Sequence, residues 1–311
     1  MSELTLQKHS WPLLQYDKLS ATIATVHMWA QIVGKIRLKK MPWINHSWHV
    51  PLYVSSSGLT TREIHYEQGM FDISFDFINH RLLINTSEGK DAIVELYPRS
   101  VASFYKELFE KLHTLNIHVE IHSRPNEVDP SIPFAEDEVH KSYDKEQMHL
   151  LWRALLKTSN VFTQFRSTFC GKSSTVHFFW GGFDLAVTRF SGRPAPKHPG
   201  GSPNMPLDVM QESYSQEVSS AGFWPGNDAF PEAYFYSYCY PAPEDFSKQT
   251  VQPQEAFFSK DLGEFLLPYN AVAISNNPEE MLMQFLQSTY DAAALTGKWD
   301  KELFEFTFKH S

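Results

Sequence analysis

From residue 71 to residue 77 the chain alternates Phe71, Ile73, Phe75 and Phe77 with Asp72, Ser74 and Asp76. A period of two puts the apolar set on one side of an extended strand and the polar set on the other, so this segment needs a sheet with one buried face. Asn79 and His80 then permit a turn, Arg81 to Thr86 returns, Glu88 and Gly89 turn again, and Asp91 to Leu96 extends once more. Such short turns predict an antiparallel meander. Trp48 to Val54 is expected to join it, with Pro51 marking an edge or a bulge because proline has no N–H for the ladder.

Helical spacing flanks the strands. Tyr16 to Lys35 carries Ile23, Val26, Trp29, Ala30 and Val33 at helical intervals, with Gly34 as a predicted end. Val101, Phe104, Tyr105, Leu108 and Leu112 predict a second helix closed by Asn116 in the left-handed region, followed by a strand over Ile117, Val119 and Ile121. Residues 123–143 hold Pro125, Pro130 and Pro133 among acids without periodicity and read as a linker. Asp144, with Gln147 three residues on, predicts the start of a long helix through Phe165. Strands are expected at 176–180, 183–190, 218–223, 233–240, 256–259 and 264–267, then a helix from Pro278 to Leu295. The expected class is α+β: antiparallel sheets flanked by helices, in two similarly ordered halves, 1–122 and 144–311, packed as one unit. The repeated order of elements is what an internal duplication would produce.

With 42% hydrophobic residues in 311, the composition is that of a globular chain able to build a sizeable core. No stretch reaches the roughly 18 apolar residues of a membrane span, and the N-terminus lacks a basic start and apolar run, so a cytoplasmic protein is expected. Cys170 and Cys239 are too few for a disulfide framework. A net charge of −9 argues against nucleic acid as a partner, since phosphate contacts need a basic field.

Positive charge is concentrated in two islands. Residues 27–50 hold Lys35, Arg37, Lys39 and Lys40 with no acid, and residues 160–204 hold Arg166, Lys172, Arg189, Arg193 and Lys197 against Asp184 alone. Like charges gathered in an acidic chain repel unless an anion or a carboxylate offsets them, which predicts a site for a small carboxylate or phosphate. Arg189 and Arg193 offer forked donors, and Arg193 to Gly201 reads as a stiffened loop able to fold over a bound anion. Gly181 and Gly182 suggest a tight turn or a close backbone approach. His177 and Asp184, seven residues apart across that turn, would give a carboxylate-oriented general base, and Glu217 is a candidate acid or partner to Arg189. Trp180, Trp224, Tyr234 and Tyr236 are candidate aromatic walls. His46 and His49, with His177 or His198, are weighed as metal ligands, although their spacing on a straight strand points them apart and no metal site is assigned. No phosphate-binding loop, dinucleotide fingerprint, zincin motif or nucleophile elbow occurs.

The strings WPLLQY, HMWAQIVGKIRL, PWINHSWHVPLYV, SGRPAPKHPGG, EVSSAGFWPG and GEFLLPY resemble, in the same order, the bacterial family termed domain of unknown function 5996, over roughly residues 10–300. The resemblance implies one family-wide unit and carries no activity, cofactor or catalytic residue. The expected function is binding, and any transformation, of a small anionic metabolite in an aromatic pocket between the halves. His49, His177, Asp184 and Glu217 are expected to handle protons. Trp29, Lys35, Arg37, Asn45, His46, Trp180, Arg189, Arg193 and His198 are expected to hold the ligand. The alternatives are a non-catalytic interaction module, which would expose a contiguous apolar surface, and a His-based metal enzyme. The residues leave the cofactor and the oligomeric state open.

Overall fold

Helix α1, Tyr16–Lys40, has every residue from Met28 to Arg37 buried. A helix buried on all sides belongs between layers, and α1, whose buried stretch includes Gln31, Lys35 and Arg37, packs against helices of both halves of the chain. In this computed structural model the described residues are 11–305, without the Leu303 side chain; residues 1–10, on which the reading of the N-terminus largely rests, and 306–311 lie outside them. Gly34 does not end α1, which continues to Lys40. A Cβ at residue 34 would collide with the Trp180 indole, so the glycine serves a close approach rather than a cap.

The first half holds a six-stranded antiparallel sheet, ordered β1 (Tyr53–Val54), β2 (Gly58–Thr60), β4 (Gly69–Asp76), β5 (Arg81–Thr86) and β6 (Asp91–Glu95), with β3 (Ile64–Tyr66) also pairing β4. Phe71, Ile73 and Phe75 are buried as their alternation requires. Helix α2, Val101–Thr114, starts on the Ser100 hydroxyl, which accepts from the Ser103 N–H, and Asn116 adopts the left-handed backbone expected after its end. The strand expected over 117–121 does not form, and between Trp48 and Val54 only β1 is extended.

The second half begins with α3, Lys145–Ser167, whose Asp144 cap accepts from the Gln147 N–H as the sequence predicts. Its six-stranded antiparallel sheet runs β11 (Phe257–Ser259), β12 (Glu264–Pro268), β10 (Tyr234–Tyr240), β9 (Gln216–Trp224), β8 (Asp184–Pro194), β7 (His177–Phe179). Short helices α5 (Tyr269–Ala273) and α7 (Lys301–Phe304) lie beside α6 (Pro278–Thr296), while α4 (Leu207–Ser213) packs on the turn at Asn45–Ser47. The chain is α+β.

One apolar cluster runs through both halves. A bridge between Leu52 and Phe178 joins the two sheets' ends, the Trp180 indole N–H donates to the Val50 carbonyl at 2.9 Å, and Trp152 on α3 donates to Ser55 at 3.2 Å. Residues 123–143 lack helix and strand apart from one turn at Phe134–Glu136 but are fastened down: Pro125, Phe134, Asp137 and Tyr143 are buried, and the carbonyls of Asp137 and His140 receive the first N–H groups of α2. Gly34→Ala should therefore overpack the joint and lower stability by about 1–3 kcal/mol, measured by urea unfolding. An unchanged midpoint would show that the indole does not depend on this contact.

Candidate functional site

Along β10, Tyr234, Tyr236, Tyr238 and Tyr240 alternate with buried Phe235, Ser237 and Cys239. The second set packs into the core with α6; the first forms the opposite face of the sheet. In register, Tyr236 lies across from Gly222 on β9 and Gly222 from Ala186 on β8, so Asp184 shares this face two residues along. The Tyr236 ring rests on Gly222, where any Cβ would displace it, and its hydroxyl donates a short hydrogen bond to Asp184 Oδ2. Glu264, one residue past the Ser237–Phe265 pair, enters the same face from β12.

Two irregular segments cover this face. In the proline-rich stretch, Pro196 accepts from the Tyr240 hydroxyl at 3.1 Å, His198 stacks on Tyr214 with centroids 4.5 Å apart, and the Tyr214 and Tyr238 hydroxyls meet at 2.9 Å. Across from it, Asn126 is clamped to α1: its N–H donates to Gln31 Oε1 at 3.0 Å, its carbonyl accepts from Gln31 Nε2 at 2.7 Å, and its Oδ1 accepts from Lys35 Nζ. Asn126 Nδ2 donates to the Asn204 carbonyl, Asn204 Nδ2 to the Val128 carbonyl, and the Glu127 N–H to Pro203. Glu127 between these clamps is left-handed at φ 58°, which costs a non-glycine residue about 1 kcal/mol.

That conformation delivers the Glu127 carboxyl onto Gly181 and Gly182. A Cβ at Gly181 would collide with it, and one at Gly182 would lie 3.0 Å from Asp184 Oδ1 and 3.9 Å from Glu127 Oε2, so the two carboxyls flank one point. The left-handed residue of this turn is Phe183, which leaves close approach as the role of both glycines. Burial pushes Glu127 and Glu264 up to about 7, with the Asp184 charge adding to both, and pushes Asp184 to about 6 against its bond from Tyr236. Tyr236 and Tyr238 are driven well above the ordinary phenol range, first by burial and then by neighbouring Asp184 and Tyr214 respectively. Among the described residues none of the three carboxyls has a basic side chain within ion-pair distance. All three remain half-buried rather than closed off, so this carboxyl-lined face, the recess, is partly open to solvent.

The arginines expected to hold an anion are occupied elsewhere. Arg189 is on the core face of β8, where its guanidinium donates to the Phe165 carbonyl and to Thr168 Oγ1 and lies 3.5 Å above the Phe165 ring and 4.3 Å from that of Tyr290. Arg37 donates to the carbonyls of Thr61 and Glu63. Arg193 pairs with Glu217 at 2.7 Å and donates to the carbonyls of Gly297 and Lys298 past the end of α6, so the partner of Glu217 is Arg193 and not Arg189. Trp29 is core, stacked on Phe104 at 4.7 Å; Trp180 is spent on Gly34 and Val50; Asn45 is exposed.

The histidines divide three ways. His177 faces Ala186, not Asp184; its Nδ1 meets Thr175 Oγ1 at 3.1 Å and its Nε2 has no partner, so the expected pair with Asp184 does not form. His49 is buried against Ile44 and Trp43. His46 meets Lys172 from the other basic island. No three His, Cys, Asp or Glu among the described residues are grouped to hold a metal ion. Of the residues expected to act, Asp184 and the aromatic wall Tyr236 line the recess, His198 supports its cover and Lys35 holds Asn126. Glu127, Glu264, Tyr214 and Tyr238 were absent from the sequence reading; the one available signal was a tyrosine at every second position from 234 to 240.

Compared with known proteins, residues 11–306 match the model of a family described as a family of unknown function (DUF5996). No curated protein and no solved structure matches.

Arg189→Ala should cost about 3 kcal/mol, through lost packing and an unsatisfied carbonyl, with the recess unaffected; calorimetric unfolding checks this. The acids set a second expectation. A carboxyl raised on folding holds its proton more tightly in the folded chain, so between about pH 4 and 7 these groups make stability fall as pH rises. Buried His27 and His177, lowered by burial to about 4 and about 3, act in the opposite sense below pH 6.5, so only a difference isolates the acids. Glu127→Gln should melt a few degrees above the wild type at pH 8 and level with it at pH 4.5. Equal gaps at both pH values would contradict the buried charge.

Proposed function

Because the chain belongs to this family of unknown function, whose description brings no activity with it, we propose a function from its own geometry: the recess over the tyrosine face of the second sheet binds a small molecule carrying a protonated amine. Glu127 supports this most directly. The chain accepts a strained backbone, a desolvated carboxyl and repulsion from Asp184 to hold that group over Gly182 with no donor to receive it among the described residues. Buried carboxylates without a cation are strongly unfavourable, and a guest that brings the cation removes the penalty. The ring faces of Tyr214, Tyr236 and Tyr238 suit the same guest, since aromatic quadrupoles attract positive charge.

Proton transfer follows from the same arrangement. Asp184 near 6 and Glu127 and Glu264 near 7 can each hold or release a proton at neutral pH, which is what general acid and base groups require. The Tyr236 hydroxyl fixes one oxygen of Asp184 and leaves the other toward Glu127.

The anionic guest expected from the charge islands is disfavoured here by three carboxyls, and the thermal-shift experiment separates the two. Small primary and quaternary amines should raise the melting temperature at pH 8, and Asp184→Asn or Glu127→Gln should reduce that rise at least fivefold. Stabilisation by carboxylates or phosphates alone would overturn the reading.

A further inference from the structure

Where α4 packs against the turn at Asn45–Ser47, a second polar cluster stands apart from the recess. Lys172 Nζ lies 2.6 Å from His46 Nε2 and 3.1 Å from Gln216 Oε1, with its head 4.7 Å from the centre of the Phe190 ring and 5.5 Å from that of Trp48. His46 Nδ1 is 3.0 Å from the Ser213 carbonyl, which can only accept. The ring proton therefore sits on Nδ1, and Nε2 presents its lone pair to the amine. Both oxygens of Glu212 are engaged by the His46 N–H at 2.9 and 2.8 Å, and no carboxylate among the described residues lies within ion-pair distance of Lys172. The ammonium thus rests on two neutral acceptors and two ring faces, and burial lowers its proton affinity while Glu212 partly restores it.

The backbone is bent to make this contact. His46 and Ser47 are consecutive left-handed residues at φ 58° and 57°, neither of them glycine. Strain of this kind concentrates where a side chain must be aimed. Here it aims an imidazole lone pair at an amine that stays half-exposed and open to a reagent.

We propose that Lys172 is a nucleophilic amine that condenses with a small aldehyde or ketone, with His46 taking up its proton. The freed nitrogen lone pair attacks the carbonyl carbon; a C–N bond forms as the C=O π bond opens, and the oxygen takes one of the two protons left on nitrogen. The resulting carbinolamine then loses its hydroxyl as water, with the proton held by His46 returned to that hydroxyl and the last nitrogen proton released to solvent as C=N forms. One water leaves and no electrons are exchanged with an outside agent. Trp48, half-buried beside the amine, offers a flat apolar wall, which fits a carbonyl compound with an aromatic or short aliphatic body.

The experiment uses the full chain with benzaldehyde and sodium cyanoborohydride at pH 7, the added hydride converting any imine to a stable benzylamine, and peptide mapping by mass spectrometry to follow each lysine. Lys172 should be modified at least tenfold faster than exposed Lys141 and Lys260. His46→Gln should slow Lys172 at least tenfold while leaving those two unchanged, and Lys172→Arg should abolish the fast phase. Modification of Lys172 at the rate of Lys141 and Lys260 in the wild-type protein would overturn the proposal, and that comparison decides the matter even if the His46 variant fails to fold. An unchanged Lys172 rate in a folded His46→Gln protein would overturn the role of the imidazole.

Discussion

The contact of the Trp180 indole with Gly34 is the constraint on which the other arrangements depend. The indole leaves the second sheet at the end of β7, lies on the one residue of α1 that has no Cβ, and reaches the Val50 carbonyl just before β1. Helix, sheet and loop are thereby fixed relative to one another by a single large ring, which packs at near-crystalline density and tolerates little displacement. Gln31, one turn before Gly34, and Lys35, the residue after it, consequently stand where Asn126 can be clamped, and Gly181, next to Trp180, stands where Glu127 can be received.

Much of the fold was legible because it repeats locally. The alternation at 71–77, the Asp144 cap, the left-handed Asn116 and the helix after Pro278 each express a preference that the surrounding structure keeps. The losses occurred where tertiary contact overrode local signal. Gly34 looked like an end and is a contact point; Ile117 to Ile121 alternates like a strand but finds no partner strand. The acids of the recess come from positions 127, 184 and 264, the first of them within an aperiodic, proline-bearing stretch, and no spacing rule joins such positions.

The arginines show a different limit. Sequence counts a basic residue without an acid beside it as unpaired, yet backbone carbonyls also carry negative partial charge, most strongly at helix C-termini. Arg189 meets the carbonyl of Phe165 in the last turn of α3, and Arg193 meets those of Gly297 and Lys298 just after α6. Arginine charge in the islands is thus consumed in closing helices and loops, while the three carboxyls of the recess have no basic side chain paired with them among the described residues.

Residues 123–143 belong to neither sheet and touch both halves. Since Asn126 is held by α1 and Val128 by the loop that carries Asn204, the position of Glu127 is an average over two bodies and is dictated by neither alone. A carboxyl mounted in this way takes its place from both attachments at once, so a substitution on either side that moved it relative to Asp184 would change its affinity for a proton.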